Sequence, residues 1–347
     1  MLRTNWLWGA LAGLALAIPA GAQFYESDLV ARARVFPEVG PGVRAVKRDA
    51  QGRAYVLVSL AAARGGAAAS AVLLYDASGK QLGQIPAPAT QNSKTPPLVY
   101  GADFDVDSAG RVYIADRGGD AVKVFNPDGS LALSIPFAAP TSVIALTDHE
   151  LAVASTKSDR LVTVFLGPGA PASPTTMPGK LVREFGAPAE IAERPELNRF
   201  LNIGRLAADP AGHIYYAFSY VPEPTVRKYD RYGYAAQEIA LTALEFQPVA
   251  QAARREIGKQ AKSGTPRLKP IITAVGVDPA TEEVWIAMGN VIVHFDREGN
   301  RRGTYRAYTA EGVRVEPVAI LVEADRVVLA ADPLGVYEFP RPDKPAR

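Results

Sequence analysis

The feature that most constrains this chain is a turn that keeps returning. Asp49-Ala-Gln-Gly52 runs into RAYVLV, Asp107-Ser-Ala-Gly110 into RVYIAD and Asp209-Pro-Ala-Gly212 into HIYYAF. Asp278-Pro-Ala-Thr281 is a variant and runs into EEVWIA. A second unit follows each one, an apolar-aromatic-Asp/Asn step and a Gly turn: LYDASGK (74–80), VFNPDGS (124–130), KYDRYGY (228–234) and HFDREGN (294–300). In such turns Asp or Asn bonds its own downstream backbone, Pro fixes φ, and Gly accepts the positive φ that closes a hairpin. The flanking alternation of Val, Ile, Tyr, Phe and Trp suits strands. Each repeat therefore predicts two hairpins, or four antiparallel strands.

The first-type Asp residues are 58, 102 and 69 positions apart. The long gap has room for a degenerate repeat over 140–185, with TDHELAVAS and RLVTVFLGPG as its hairpins. A last repeat starts near Val315, with VEADRVVLAAD and GVYEFP. Six repeats then begin near residues 43, 98, 140, 198, 270 and 315. Six four-stranded units bury both faces of every sheet only by closing into a ring. The expected fold is all-β: a six-bladed β-propeller of four-stranded antiparallel blades. The last repeat lacks an outer strand, which LVARARVF (29–36) is placed to supply as a latch. Two insertions depart from a plain ring. Residues 60–70 (LAAARGGAAAS) read as a mobile loop in blade 1. Residues 241–269, between blades 4 and 5, predict a helix started by Pro248, with Val249, Ala253 and Ile257 on one side and Arg254, Arg255, Lys259 and Lys262 elsewhere. Two roles fit that helix: a basic lid over the ring, or a cover for exposed blade edges.

Residues 101–136 (GADFDVDSAGRVYIADRGGDAVKVFNPDGSLALSIP) resemble an NHL repeat: a Val-Asp turn, Gly, a strand ending Ala-Asp, then a Val-x-Val-Phe strand and a Gly turn. The first, fourth and fifth repeats match at their turns, the third and sixth loosely. The resemblance implies a six-bladed propeller of secreted bacterial type that serves as a binding scaffold, although a few relatives are lyases or lactonases. Six-bladed lactonases hold a divalent cation with one Glu, two Asn and an Asp. Here none of Asn92, Asn126, Asn198, Asn202, Asn290 and Asn300 falls on a predicted innermost strand.

Residues 1–22 carry an address. Arg3 precedes an apolar run (7–18) and a small-residue site, Ala20-Gly21-Ala22, the order expected of a cleaved signal peptide. At 1.5 Å per residue that run, about 12 residues, is too short to cross a bilayer; an uncleaved anchor is the alternative. Residues 23–347 then form one domain, secreted or periplasmic. Its length buries about three quarters of the unfolded surface, so no staple is needed. No cysteine is present, which excludes disulfides, thiolate metal sites and a lipoprotein anchor. With 38 Lys and Arg against 36 Asp and Glu, a nucleic-acid partner that relies on a strong positive field is not expected. No later segment is long and apolar enough to span a membrane.

Two surfaces are candidate sites. The first strand of each blade lines the axis, and aligning these strands on their turn Asp places Lys47 level with Asp105, and Asp103 level with Arg205. Period 2 puts Asp103 and Asp105 on one face of their strand. Arg44 or Lys47 and Arg205 are therefore expected to converge with the two carboxylates on a polar channel. That channel is either a self-satisfied, water-filled ion pair or a site for a small polar ligand or cation. The second surface is the loop face, which offers Asp116, Arg117, Asp120, Lys157, Tyr220, Glu223 and Asp332. It reads as a partner-binding surface or as ordinary solvated loops. His149, His213 and His294 fall in three blades at surface-like strand positions, which argues against a multi-His metal site. HExxH, GxSxG and phosphate-cradling Gly motifs are absent, and a divalent cation at the axis is the one cofactor the pattern allows. The expected function is a monomeric binding scaffold for a protein, peptide or small polar ligand. The alternative is a metal-assisted hydrolase or lyase, lactonase-like, acting at the axis.

Overall fold

The repeated turns fold as hydrogen-bonded units. In the computed structural model, which describes residues 26–60, 69–87, 97–146, 149–169, 177–192, 194–261 and 265–343, Gly52, Gly110 and Gly212 sit at φ of 80°, 77° and 85°. One oxygen of Asp49 accepts the amides of Gln51 and Arg53 at 3.0 and 2.9 Å. The other accepts Arg53 Nε at 2.6 Å and the Tyr55 hydroxyl at 3.0 Å. Asp107 holds Arg111 and Tyr113 in the same way, and Asp209 holds His213 and Tyr215. The Asp therefore serves both the turn and the aromatic of the strand that follows. Residues 1–25, which include the segment predicted as a leader, lie outside the described residues, as do 61–68 of the blade 1 loop and Lys262.

The strands run in chain order. An N-terminal pair, β1 (Glu26–Val30) and β2 (Ala33–Val35), precedes the ring. Blade 1 is β3 (Val43–Arg48), β4 (Ala54–Leu60), β5 (Ala69–Tyr75) and β6 (Gln81–Ile85). Blade 2 is β7 (Gly101–Val106), β8 (Val112–Asp116), β9 (Ala121–Phe125) and β10 (Leu131–Pro136). Blade 3 is β11 (Pro140–Ala145), β12 (Glu150–Ser155), β13 (Val162–Leu166) and β14 (Leu181–Phe185). A short helix, α1 (Asn198–Leu201), precedes blade 4: β15 (Gly204–Ala208), β16 (Ile214–Phe218), β17 (Thr225–Tyr229) and β18 (Ala235–Ala240). Helix α2 (Gln247–Lys259) lies in the predicted insertion and carries Pro248 in its first turn. Blade 5 is β19 (Ala274–Val277), β20 (Val284–Met288), β21 (Val291–Phe295) and β22 (Arg301–Tyr308). Blade 6 is β23 (Ala319–Val322), β24 (Arg326–Ala331) and β25 (Gly335–Pro340).

Each blade is an antiparallel four-stranded sheet. The chain is a six-bladed β-propeller, as its repeats predict. Ring closure uses the N-terminal segment in two parts. β2 completes blade 6, pairing Ala33 with Glu338 and Val35 with Val336, while β1 runs parallel to β22 at the outer edge of blade 5. The segment crosses over at Ala31 and Arg32, whose amides reach Tyr308 O at 2.9 Å and Glu338 O at 2.8 Å. Only 33–35 of the predicted 29–36 strand acts in blade 6, because the adjacent edge of blade 5 is also open and buries Leu29.

The core lies between blades rather than in one centre. Leu57 and Val72 of blade 1 share a cluster with Phe104 and Ile114 of blade 2, and Ile144 and Val164 of blade 3 with Leu206 and Tyr216 of blade 4. The innermost strands β3, β7, β11, β15, β19 and β23 pack neighbour to neighbour around the axis. Gly276 permits one close approach: a Cβ there would lie 2.9 Å from the carbonyl oxygen of Ile320. Among the described residues no helix is long and apolar enough to cross a membrane.

Candidate functional site

An innermost strand has one sheet neighbour, so half of its amides and carbonyls point at the axis without a ladder partner. The axial polar side chains answer that need first. Ser142 Oγ accepts the amide of Leu206 at 2.9 Å, and Asp105 Oδ2 accepts that of Ala145 at 2.9 Å. Asp103 Oδ1 accepts the amide of Phe104 at 2.9 Å, and its Oδ2 receives the Ser142 hydroxyl. Side chains of these strands project sideways toward neighbouring blades, so Asp103 and Asp105 of blade 2 bind groups of blades 1 and 3.

Lys47 Nζ lies 3.1 Å from Asp105 Oδ1, with 29% of the lysine side chain and 17% of the aspartate exposed. Burial alone would lower the Lys47 pKa, but the Asp105 and Asp103 carboxylates outweigh it and raise it above the usual lysine value. Lys47 is therefore an ammonium at neutral pH and no general base. Burial pushes Asp103 above the usual carboxylate range, against the opposing fields of Arg205 and Lys47 and the Ser142 hydrogen bond. Arg205 is half-buried and, among the described residues, makes no direct hydrogen bond or ion pair. Arg44 turns away: its Nε donates to Ser59 Oγ at 2.8 Å, its Nη1 donates to the Tyr100 hydroxyl at 2.6 Å, and its guanidinium sits 4.1 Å from the Tyr100 ring centroid. A bulge between Val43 and Ala45 takes Arg44 out of the alternation. The same bulge recurs at Ala102 and Thr141.

Below the ion pair, toward the face that carries the Asp-x-x-Gly turns, the axis widens into a cavity of about 440 Å³. Lys47, Asp105, Ala145, Ala207, Gly276 and Ile320 line it, one residue from each blade. Its only charged wall above the turn aspartates is the Lys47–Asp105 pair. Ser142 was hidden at the sequence level, because blade 3 lacks the turn Asp on which the other strands align. Aligning PTSVIA by its bulge instead sets Ser142 level with Asp103.

The loop face differs from its sequence reading at Asp116. That residue is fully buried, accepting the amides of Val99 and Tyr100 at 3.1 and 2.9 Å and Lys123 Nζ at 2.7 Å, so it is an internal strut and offers nothing to a partner. Asp120 accepts the Ala139 amide at 2.7 Å, and Asp332 accepts the Gly42 amide at 2.8 Å across the ring closure. Glu223 pairs with Arg254 at 2.6 Å. Arg117 and Lys157 are exposed, and Tyr220 is half-buried with its ring 4.7 Å from that of Phe200.

His294 is also corrected. It is buried (1% exposed) rather than on the surface, stacked on Trp285 with ring centroids 4.1 Å apart. Among the described residues two His–carboxylate groups have metal-like spacing, Asp209–His213–Glu282 and Glu283–His294–Asp343. Each already holds a cation of the protein. Lys228 Nζ lies 3.2 Å from Glu282, and Arg341 Nη2 lies 2.6 Å from Asp343 and 3.3 Å from Glu283.

No protein-family model and no curated protein matches the sequence. Solved structures do resemble the fold. Virginiamycin B lyase from Staphylococcus aureus aligns with a TM-score of 0.50 and 12% identity over 90% of this chain and 88% of its own. A streptogramin B lyase aligns with a TM-score of 0.50 and 14% identity over 86% and 93%. A structural-genomics protein of unknown function from Bacteroides thetaiotaomicron aligns with a TM-score of 0.54 and 11% identity over 89% and 70%. At such identities the likeness concerns the fold alone, a six-bladed propeller.

Proposed function

We propose that this is an exported, NHL-like binding propeller whose axial cavity holds a small polar ligand. The observation that carries the reading is the cavity of about 440 Å³ with the half-buried Lys47–Asp105 pair in its wall. Such a volume falls within the range of small-molecule sites, and a part-buried ion pair in its wall is an anchor for a ligand with both donors and acceptors. The strand-edge backbone adds further donors and acceptors. Protein or peptide partners would meet the loop face at Arg117, Lys157 and Tyr220.

A metal-assisted hydrolase or lyase at the axis is the second reading, favoured by the two lyases that share the fold. Against it, all four oxygens of Asp103 and Asp105 already accept a protein donor, and one of these donors is the Lys47 ammonium, whose charge opposes a divalent cation beside Asp105. The test is a thermal-shift series with sugar acids, amino acids and divalent cations. Sugar acids or amino acids are expected to raise the melting temperature of the wild type, and Asp105→Asn should abolish the shift. Stabilisation by cations alone would favour the enzyme, and a shift that survives Asp105→Asn would remove the axial site.

A further inference from the structure

We propose that the groove beneath α2 is a second ligand site, for an amphiphile with an apolar body and one carboxylate end. The helix sequence QPVAQAARREIGK places Val249, Ala252, Ala253, Glu256 and Ile257 at i, i+3, i+4, i+7 and i+8, one continuous face. A face of that kind normally packs into a core. Here Ile257 alone is buried, while Val249 is 38% exposed. The face looks onto a hollow of about 720 Å³, closed on the other side by Leu268, Ile271 and Met288 and at one end by Tyr220. Alanine at both central positions is what leaves the space.

The hollow is held open from several directions. Arg194 donates to the last carbonyls of α2, Ile257 O at 2.7 Å and Gly258 O at 3.3 Å, and to Gln260 O just beyond it at 3.1 Å, where the helix dipole favours a cation. Arg254 fastens the middle of the helix to Glu223 at 2.6 Å. Phe246, just before the helix, is buried, with the Arg301 guanidinium 5.6 Å from its ring centroid. The apolar walls therefore keep a preformed shape, the property that lowers the entropic cost of binding.

Charge selects the ligand's end group. The one carboxylate on the groove, Glu256, is paired with Lys259 at 2.7 Å. The Arg267 and Lys269 side chains on the opposite rim are exposed and, among the described residues, have no hydrogen-bond or ion-pair partner. Two unpaired cations beside an apolar trough fit a carboxylate on an aliphatic chain.

The test is calorimetric titration of the full-length mature protein with dodecanoate, below its micellar concentration, and with dodecan-1-ol. Saturable dodecanoate binding is expected. Ala252→Trp replaces an exposed helix residue, which leaves the fold intact, and should weaken that binding by at least about tenfold by filling the trough. Lys269→Glu with Arg267→Glu should weaken dodecanoate by about tenfold and leave dodecan-1-ol unchanged. Asp105→Asn should change neither, which separates this site from the axial one. Absence of saturable binding, indifference to Ala252→Trp, or equal loss of acid and alcohol in the double variant would each overturn the proposal; a peptide that competes in its place would mark the groove as a protein-docking surface.

Discussion

At the scale of single residues, the axis and blade 5 show how one position changes role with its surroundings. The residue after the Gly turn is Arg53, Arg111 or His213 in blades 1, 2 and 4, and each binds its own turn Asp. Blade 5 has Glu283 as the residue before Val284, and the missing cation comes from Arg341, which binds Asp278, Glu283 and Asp343. His294 lies beside that network, with Nε2 3.3 Å from a Glu283 carboxylate oxygen and, among the described residues, no hydrogen bond on Nδ1. Burial lowers its pKa below the ordinary value of 6.5, while Glu283 and Asp343 oppose the shift. A histidine whose folded pKa is lowered resists protonation in the folded state. Its contribution is present above the unfolded pKa, about 6.5, and is lost as pH falls from there through the lower folded pKa. Thermal unfolding between pH 8 and 5 should therefore show a loss of stability that His294→Phe, which keeps the stack on Trp285, reduces. An identical pH profile in the variant would show that the loss arises elsewhere. The equivalent residues Val124 and Lys228 are buried as well and Leu74 is half-buried, so burial at this strand position is shared between blades, and what is particular to His294 is the Arg341 network beside it.

At the scale of elements, α2 was legible as a helix from Pro248 and its periodic face, but its seat was not. That seat depends on Arg194, more than 50 residues earlier in the chain, which satisfies carbonyls the helix leaves unpaired at its C-terminus. Two of the basic residues expected on its polar side are paired, Arg254 with Glu223 and Lys259 with Glu256. Arg194→Ala should accelerate amide exchange over the last turn of α2 by about tenfold, equivalent to about 1.4 kcal/mol of local stability. Exchange at its wild-type rate would mean that the helix is seated without Arg194, by its apolar contacts and the Arg254–Glu223 pair.

At the scale of the whole molecule, stability rests on closing the ring. β2 covers the edge of β25, β1 covers that of β22, and the N-terminal segment buries Leu29, Ala31 and Phe36. A chain that begins at Val39 would lose that burial, worth on the order of 5 kcal/mol, and would expose two strand edges open to pairing with other chains. The urea midpoint should fall and oligomers should appear on size-exclusion chromatography; an unchanged midpoint would mean that the ring closes without its latch. The blade count and the four-strand unit were readable because turns and period-2 strands are local: an Asp, a Gly and a few apolar residues state their conformation within ten positions. The latch was readable only in part, since nothing local shows that its first strand pairs with blade 5. The axial pairing was readable in part, since alignment on turns set Lys47 level with Asp105 but could not reveal the bulge that sends Arg44 to Tyr100. Sequence by itself determined the repeating hairpins and hence a ring of six blades, because those depend on neighbours in the chain. Only the tertiary structure decided that Ser142 meets Asp103, that Asp116 and His294 are buried, and that α2 stands over a hollow. Each of these depends on residues from different blades meeting in space, and pairing between blades leaves no period in the chain.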